Sequence, residues 1–289
     1  MRPLTTKISF SFPFALEEMP KRFASIGSCF SEKIVNLLSC GGFECASNPN
    51  GIVYNPYSIA KSIRHITEDR PYNDETFFEF GGLFHSREHH GCFSAETIDL
   101  LRVKTETART AFRDFLNTPC PVALTFGTAV VFREKRSGKI AANCHKVPGT
   151  EFNRELLSVE ESYQAIRESV QKISEMEDHP VILSVSPVRH HPGDPVLNTR
   201  SKSILIEACH EVTEQFSGRC AYFPAYELLH DELRDYRFYS EDLVHPSETA
   251  EEIILETFVK AGYNRNSGEI LNTAWNNLKR NRHVPGGIK

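Results

Sequence analysis

The chain has 289 residues, enough for one large α/β domain or two small ones. Hydrophobic residues make up 40% and charged residues 25%, and 33 Lys and Arg against 38 Asp and Glu leave a net charge of −5, the profile of a soluble globular protein. No basic run offers itself to nucleic acid, and no apolar run approaches the roughly 20 residues of a membrane span.

The N-terminal apolar stretch is short and broken by Ser and Pro, so no signal peptide is read and a cytoplasmic protein is expected. The eight cysteines form no C-x-x-C pair and are spread along the chain. Free, mostly buried thiols in a reducing compartment are expected, with no metal and no cofactor.

Taken in chain order, the pattern alternates strands and helices. "RFASIG" predicts a strand over about 22–27 and "SEKIVNLLS" a helix over about 31–39. "NPNGIVYNP" reads as a turn-rich loop, and Pro56 suits the first turn of the next helix. Residues 70–95 are irregular and aromatic, an insertion or small hairpin. A helix over about 95–116 precedes "PVALTFGTAVVF", 121–132, expected as one buried strand with a partner beyond a turn at 135–138. Ser158 and Glu161 make a capping-box pattern at the head of a helix over 158–176. "HPVILSVSPV" predicts a central strand, then a helix over about 199–215, the strand "CAYFPAYELL", a helix from near Pro246 and a polar tail. The expectation is a single three-layer α/β/α domain on a mainly parallel sheet, whose ligands bind at the carboxyl ends of the strands.

Two short patterns carry candidate chemistry. Gly27-Ser28-Cys29 stands between a strand and a helix. There a hydroxyl or thiol meets free N–H groups and the positive end of a helix dipole, although a plain N-cap has the same look. Cys29 shares that position, but neighbours on a turn point in different directions. Asp242 and His245 are three apart before a helix, a spacing that lets the carboxylate hold Nδ1 and leave Nε2 free as a base; a capping Asp in a surface loop would look alike. Further candidates for substrate contact are Asn55, His90, Asn143, His145, Arg189 and His190, Arg189 for a carboxylate or phosphate. His85, His89 and His90 crowd into six residues, but without metal-ligand spacing.

An early Gly-Ser turn and a late Asp-x-x-His resemble the SGNH, or GDSL-like, hydrolases. More specifically, "GSCFSEKIVNLLSCGGF" followed by "NPNGIVYNPYSI" resembles the GSCFA family, named for its Gly-Ser-Cys-Phe-Ala, with Ser31 standing here at the fifth place. "LTFGTAVVF", "NCHKVP", "SVSPVRHH", "NTRSKSIL" and "YFPAYELLHDELRDYRFYSEDLVHPS" match further, in order, between about residues 20 and 260.

The resemblance implies an SGNH-like fold and a serine esterase acting on a small-molecule ester, such as an acylated carbohydrate. Ser28 would be the nucleophile, His245 the base and Asp242 its orienting partner. The oxyanion would be held by the N–H groups of Ser28 and Gly51 and a donor at Thr128. The superfamily's Gly-x-Asn-Asp is absent here, so Thr128, Asn55 or Asn143 would replace its Asn. An acyltransferase or a weakened carbohydrate- or peptide-binding protein is the alternative expectation.

Overall fold

The computed structural model describes residues 6–282. Five strands form the central sheet: β1 (Arg22–Gly27), β2 (Glu44–Ser47), β5 (Val122–Phe126), β9 (Val181–Val185) and β10 (Cys220–Phe223). Their order is β2-β1-β5-β9-β10 and every pair is parallel. Every residue of β5 and β9 is buried, as expected of strands covered on both faces. Their apolar runs therefore read as continuous rather than alternating.

Helices cover both faces. Ala24, Ile26, Leu124 and Leu183 point to one side, where they pack with α2 (Pro56–Thr67), α3 (Ile98–Phe115), α4 (Val159–Ser174) and α5 (Pro195–Gln215) through Ile63, Phe112, Ile166 and Leu205. Phe23, Ala123, Ile182 and Phe223 point to the other. They meet α1 (Cys29–Cys40), α7 (Glu248–Gly262) and α8 (Ser267–Arg282) through Ile34, Leu38, Ile254, Phe258 and Ile270. Each large apolar side chain so enclosed contributes about 1.5–3 kcal/mol. The result is a three-layer α/β/α sandwich.

A hairpin of β3 (Phe77–Phe80) and β4 (Leu83–Ser86) occupies part of the aromatic stretch at 70–95. A second, antiparallel sheet joins β6 (Val130–Glu134) to β7 (Ile140–Ala141) and β8 (Phe152–Leu156). Among the described residues no helix is long and apolar enough to cross a membrane. All eight cysteines are free; three are buried, four half-buried and Cys92 exposed.

Several sequence expectations are corrected. The run 121–132 is two strands in two sheets. Gly127 and Thr128 both donate their N–H groups to the Tyr54 carbonyl, at 2.7 and 3.2 Å, and Thr128 Oγ1 accepts from Val130 N–H at 2.9 Å. That hydroxyl-closed turn takes the chain off the central sheet. The strand expected over 220–229 stops at Phe223, because Pro224 has no N–H to donate; α6 (Ala225–Glu227) and a wide helical turn over Leu228–Leu233 follow. The polar tail contains α8, whose Ile270, Leu271 and Ala274 are buried. Apolar residues at 270, 271, 274, 275 and 278 mark one face of that helix. Residues 283–289 of the tail lie outside the described residues. α1 and α5 begin earlier than expected, and β2 and β8 are additional strands.

Candidate functional site

In a parallel sheet of this order the chain reverses direction between β1 and β5, and the crevice opens at the carboxyl ends of those strands. Gly27, Thr125, Ser184 and Phe223 stand side by side there. Gly27 has φ +141°, and a Cβ on it would come within 2.1 Å of the Thr125 carbonyl oxygen, so only glycine lets β1 turn into α1 at this spacing.

Ser28 occupies the N-cap position of α1 but makes no side-chain cap. It is 0% exposed. Its hydroxyl pairs with the Thr125 hydroxyl at 2.9 Å, and its N–H donates to the Thr125 carbonyl at 3.0 Å. Cys29, the first residue of α1, is half-buried and lines a cavity of about 610 Å³. Phe30, Lys33, Val188, Asp242 and His245 share that cavity. Burial pushes the Cys29 thiol up, and Glu251 adds to this; Lys33 and Lys202 pull the other way. The thiol is therefore protonated at rest.

The opposite wall is the loop before α7. His245 Nδ1 lies 2.7 Å from Asp242 Oδ2, and Asp242 Oδ1 accepts the N–H groups of Val244 and His245 at 2.8 and 3.0 Å. Those hydrogen bonds hold the Asp242 carboxyl down to about 2. An ionised carboxylate only accepts, so the hydrogen of this bond sits on Nδ1, and Nε2 is the nitrogen left to exchange a proton. Leu243, at φ +55°, bends the loop, and Arg189 fastens it by donating its N–H to the Val244 carbonyl at 3.0 Å. The Arg189 guanidinium lies over the Tyr239 ring at 4.0 Å. It also borders a second cavity, about 530 Å³, lined by Tyr226, Tyr236 and Asp242.

The remaining sequence candidates are placed differently. The Gly51 N–H donates to Asn48 at 2.7 Å, and its backbone packs against His90. The Thr128 hydroxyl is shared by His191 and Ser201, both at 3.0 Å. The three expected oxyanion donors, Ser28, Gly51 and Thr128, are thus all engaged inside the protein. Asn55 caps α2 by accepting from Ser58 N–H at 2.8 Å.

His90, Asn143 and His145 line a separate cavity of about 560 Å³ beside the hairpin. Burial pushes His145 down to about 4, and its Nε2 bonds the Ser86 carbonyl at 2.6 Å. His190 is held neutral by burial, packs edge-on to Tyr54 and lies against Gly127, its Nδ1 on the Val188 carbonyl at 3.1 Å. Among the described residues no three His, Cys, Asp or Glu side chains gather as a metal-ligand set.

Sequence reasoning missed Lys202. Its Nζ, wholly buried, donates to the carbonyls of Gly127 at 2.7 Å and Ser186 at 2.6 Å, at the ends of β5 and β9. Burial pushes the ammonium down to about 7. A Lys among the polar and apolar residues of "NTRSKSIL" gives no outward sign of such a position, though a single Lys on the core face of a helix is the pattern to look for.

No curated protein and no solved structure matches the chain. The model of the GSCFA family matches residues 22–258, from β1 into α7 and so across both walls of the cavity, and the chain belongs to the GSCFA family.

Proposed function

We propose that the protein is a hydrolase acting on ester bonds by acyl transfer to water. The nucleophile comes from the Ser28–Cys29 turn at the head of α1. His245 acts as base and then acid, and Asp242 orients it. What carries this reading is the Asp242–His245 pair, set with its Nδ1 protonated on the wall of the cavity into which that turn opens. An acylated carbohydrate suits the site, because aromatic Tyr226 and Tyr236 and polar Asn198 and Thr199 line the adjoining cavity.

Hydrolysis of p-nitrophenyl acetate and of acetylated sugars tests the proposal. The His245→Ala variant is expected to lose on the order of 10²–10⁴ in kcat. Equal turnover by that variant and the parent protein sinks the reading.

Transfer to a second alcohol is the other reading. One observation favours it: Asp242 borders two cavities, so donor and acceptor can flank one pair. Product analysis with a sugar acceptor present separates transfer from hydrolysis.

A further inference from the structure

The hydroxyl and the thiol of the turn stand in opposite situations. Ser28 is fully buried, and both its hydroxyl and its N–H are closed onto Thr125. It has no share in the cavity that His245 faces. Cys29 does have a share, in the same lining as His245 and Asp242. A nucleophile must reach both its base and its substrate. Resting on the acyl-transfer reading above, we infer that Cys29 is the nucleophile of this site, that Ser28 is a structural member of the turn, and that the covalent intermediate is a thioester.

The surroundings fit a thiol. Ser28 turns its side chain to Thr125 and so leaves the first turn of α1 without a side-chain cap. The N–H groups of Cys29 and Phe30 then lie at the positive end of the helix, where an oxyanion on the acyl carbon would be stabilised. This replaces the donors expected at Ser28, Gly51 and Thr128. Lys202 is the second fitting feature. It is a fully buried amine at the carboxyl ends of the strands, pushed toward its neutral form by burial, and among the described residues no carboxylate forms an ion pair with it. A buried cation is costly unless a negative charge stands near it. Thiolate formed at Cys29 adds one to that of Glu227 and so favours the charged form of Lys202, since the two groups feel each other's charge.

The steps balance without an outside reagent. His245 Nε2 takes the thiol proton as Sγ bonds to the acyl carbon. The C–O bond of the ester breaks, and the proton passes from Nε2 to the departing alkoxide. Water then gives a proton to Nε2 and its oxygen to the acyl carbon. The C–S bond breaks, the carboxylic acid leaves, and the thiolate recovers the proton from His245.

The test treats the full chain with p-nitrophenyl acetate, quenches in acid and locates the acetyl group by peptide mass spectrometry. The acetyl group is expected on Cys29 and released by neutral hydroxylamine, which cleaves thioesters and spares oxygen esters and amides. It should persist in Ser28→Ala and vanish in Cys29→Ala, with a loss of hydrolysis on the order of 10³-fold or more. Cys29→Ser, which keeps the shape of the turn, serves if Ser28→Ala fails to fold; its acetyl group should resist hydroxylamine. Acetyl on Ser28 of the parent protein, or undiminished hydrolysis by Cys29→Ala, overturns the assignment and leaves the esterase reading standing. Acetylation of neither residue, with His245→Ala as active as the parent, overturns both.

Discussion

The Asp242 carboxylate holds His245 through two bonds, from its backbone N–H at 3.0 Å and at ring Nδ1 at 2.7 Å, and takes a third from Val244 N–H at 2.8 Å. An amide in place of the carboxylate presents a donor as readily as an acceptor, and so no longer selects the tautomer. Asp242→Asn is expected to keep the fold and lose on the order of 10²–10⁴ in kcat, with KM little changed. Steady-state kinetics on p-nitrophenyl acetate check this; a pure KM effect would place Asp242 in substrate binding instead.

The same carboxyl sets an acid-side prediction. Its folded value, about 2, lies below the ordinary one of 3.8, so the folded chain releases the proton more readily than the unfolded chain. Its contribution is complete above the ordinary value and is lost as pH falls toward 2. The Tm difference between the parent protein and Asp242→Asn should therefore shrink between about pH 4 and 2 and stay level above. Melting curves across that range decide it.

Lys202 works in the same sense in a higher window, through burial rather than hydrogen bonding. Burial lowers it from 10.5 to about 7. Between those values the unfolded chain holds a proton that the folded chain does not, so stability rises with pH across that window. Lys202→Met removes the titrating group and also leaves the Gly127 and Ser186 carbonyls without their donor, at a cost of about 1–3 kcal/mol each if nothing replaces it. The Tm of the parent protein relative to the variant should climb from pH 7 to 10. A flat difference would mean that Lys202 is not charged in the unfolded reference alone, contrary to its burial.

Gly27→Ala tests the turn itself. A methyl group there meets the Thr125 carbonyl at 2.1 Å in a backbone conformation that disfavours any side chain. Relief requires β1 and β5 to separate, and a loss of about 3 kcal/mol or more is expected. Chemical denaturation measures it, and a loss under 1 kcal/mol would show that the turn yields.

Trp275 is the only tryptophan of the chain and lies on α8, against the cluster that includes Leu37 and Leu38 of α1. Asn277 Nδ2 donates to the Cys40 carbonyl at 2.9 Å, closing the carboxyl end of α1. Asn277→Ala should cost about 1 kcal/mol, and tryptophan emission should shift to longer wavelength at a lower denaturant concentration than in the parent protein. Coincident shifts would mean that the bond adds nothing to the docking of α8.

Elements whose pattern is set by their own residues were legible from the chain alone. The capping box at Ser158 and Glu161 is present in both directions at the head of α4. The continuous apolar runs of β5 and β9 declared strands buried on both faces. Boundaries set by distant partners were not legible. Nothing within "LTFGTAVVF" says that Tyr54, 73 residues before Gly127, takes the N–H groups of Gly127 and Thr128 and ends β5 there. The site behaves likewise. The spacing of Asp242 and His245 was sufficient because three residues on one loop determine their contact. Which of Ser28 and Cys29 turns toward them depends on Thr125, on the neighbouring strand.

The two walls of the cavity come from opposite ends of the chain, α1 at the start and the loop before α7 near the finish. On a ribosome adding about 5–20 residues per second, roughly ten to forty seconds separate the appearance of Cys29 from that of His245. Throughout that interval the cavity beside Cys29 lacks the wall that carries Asp242 and His245. On the acyl-transfer reading proposed above, the growing chain carries no working site until the loop before α7 has been made and has packed beside α1.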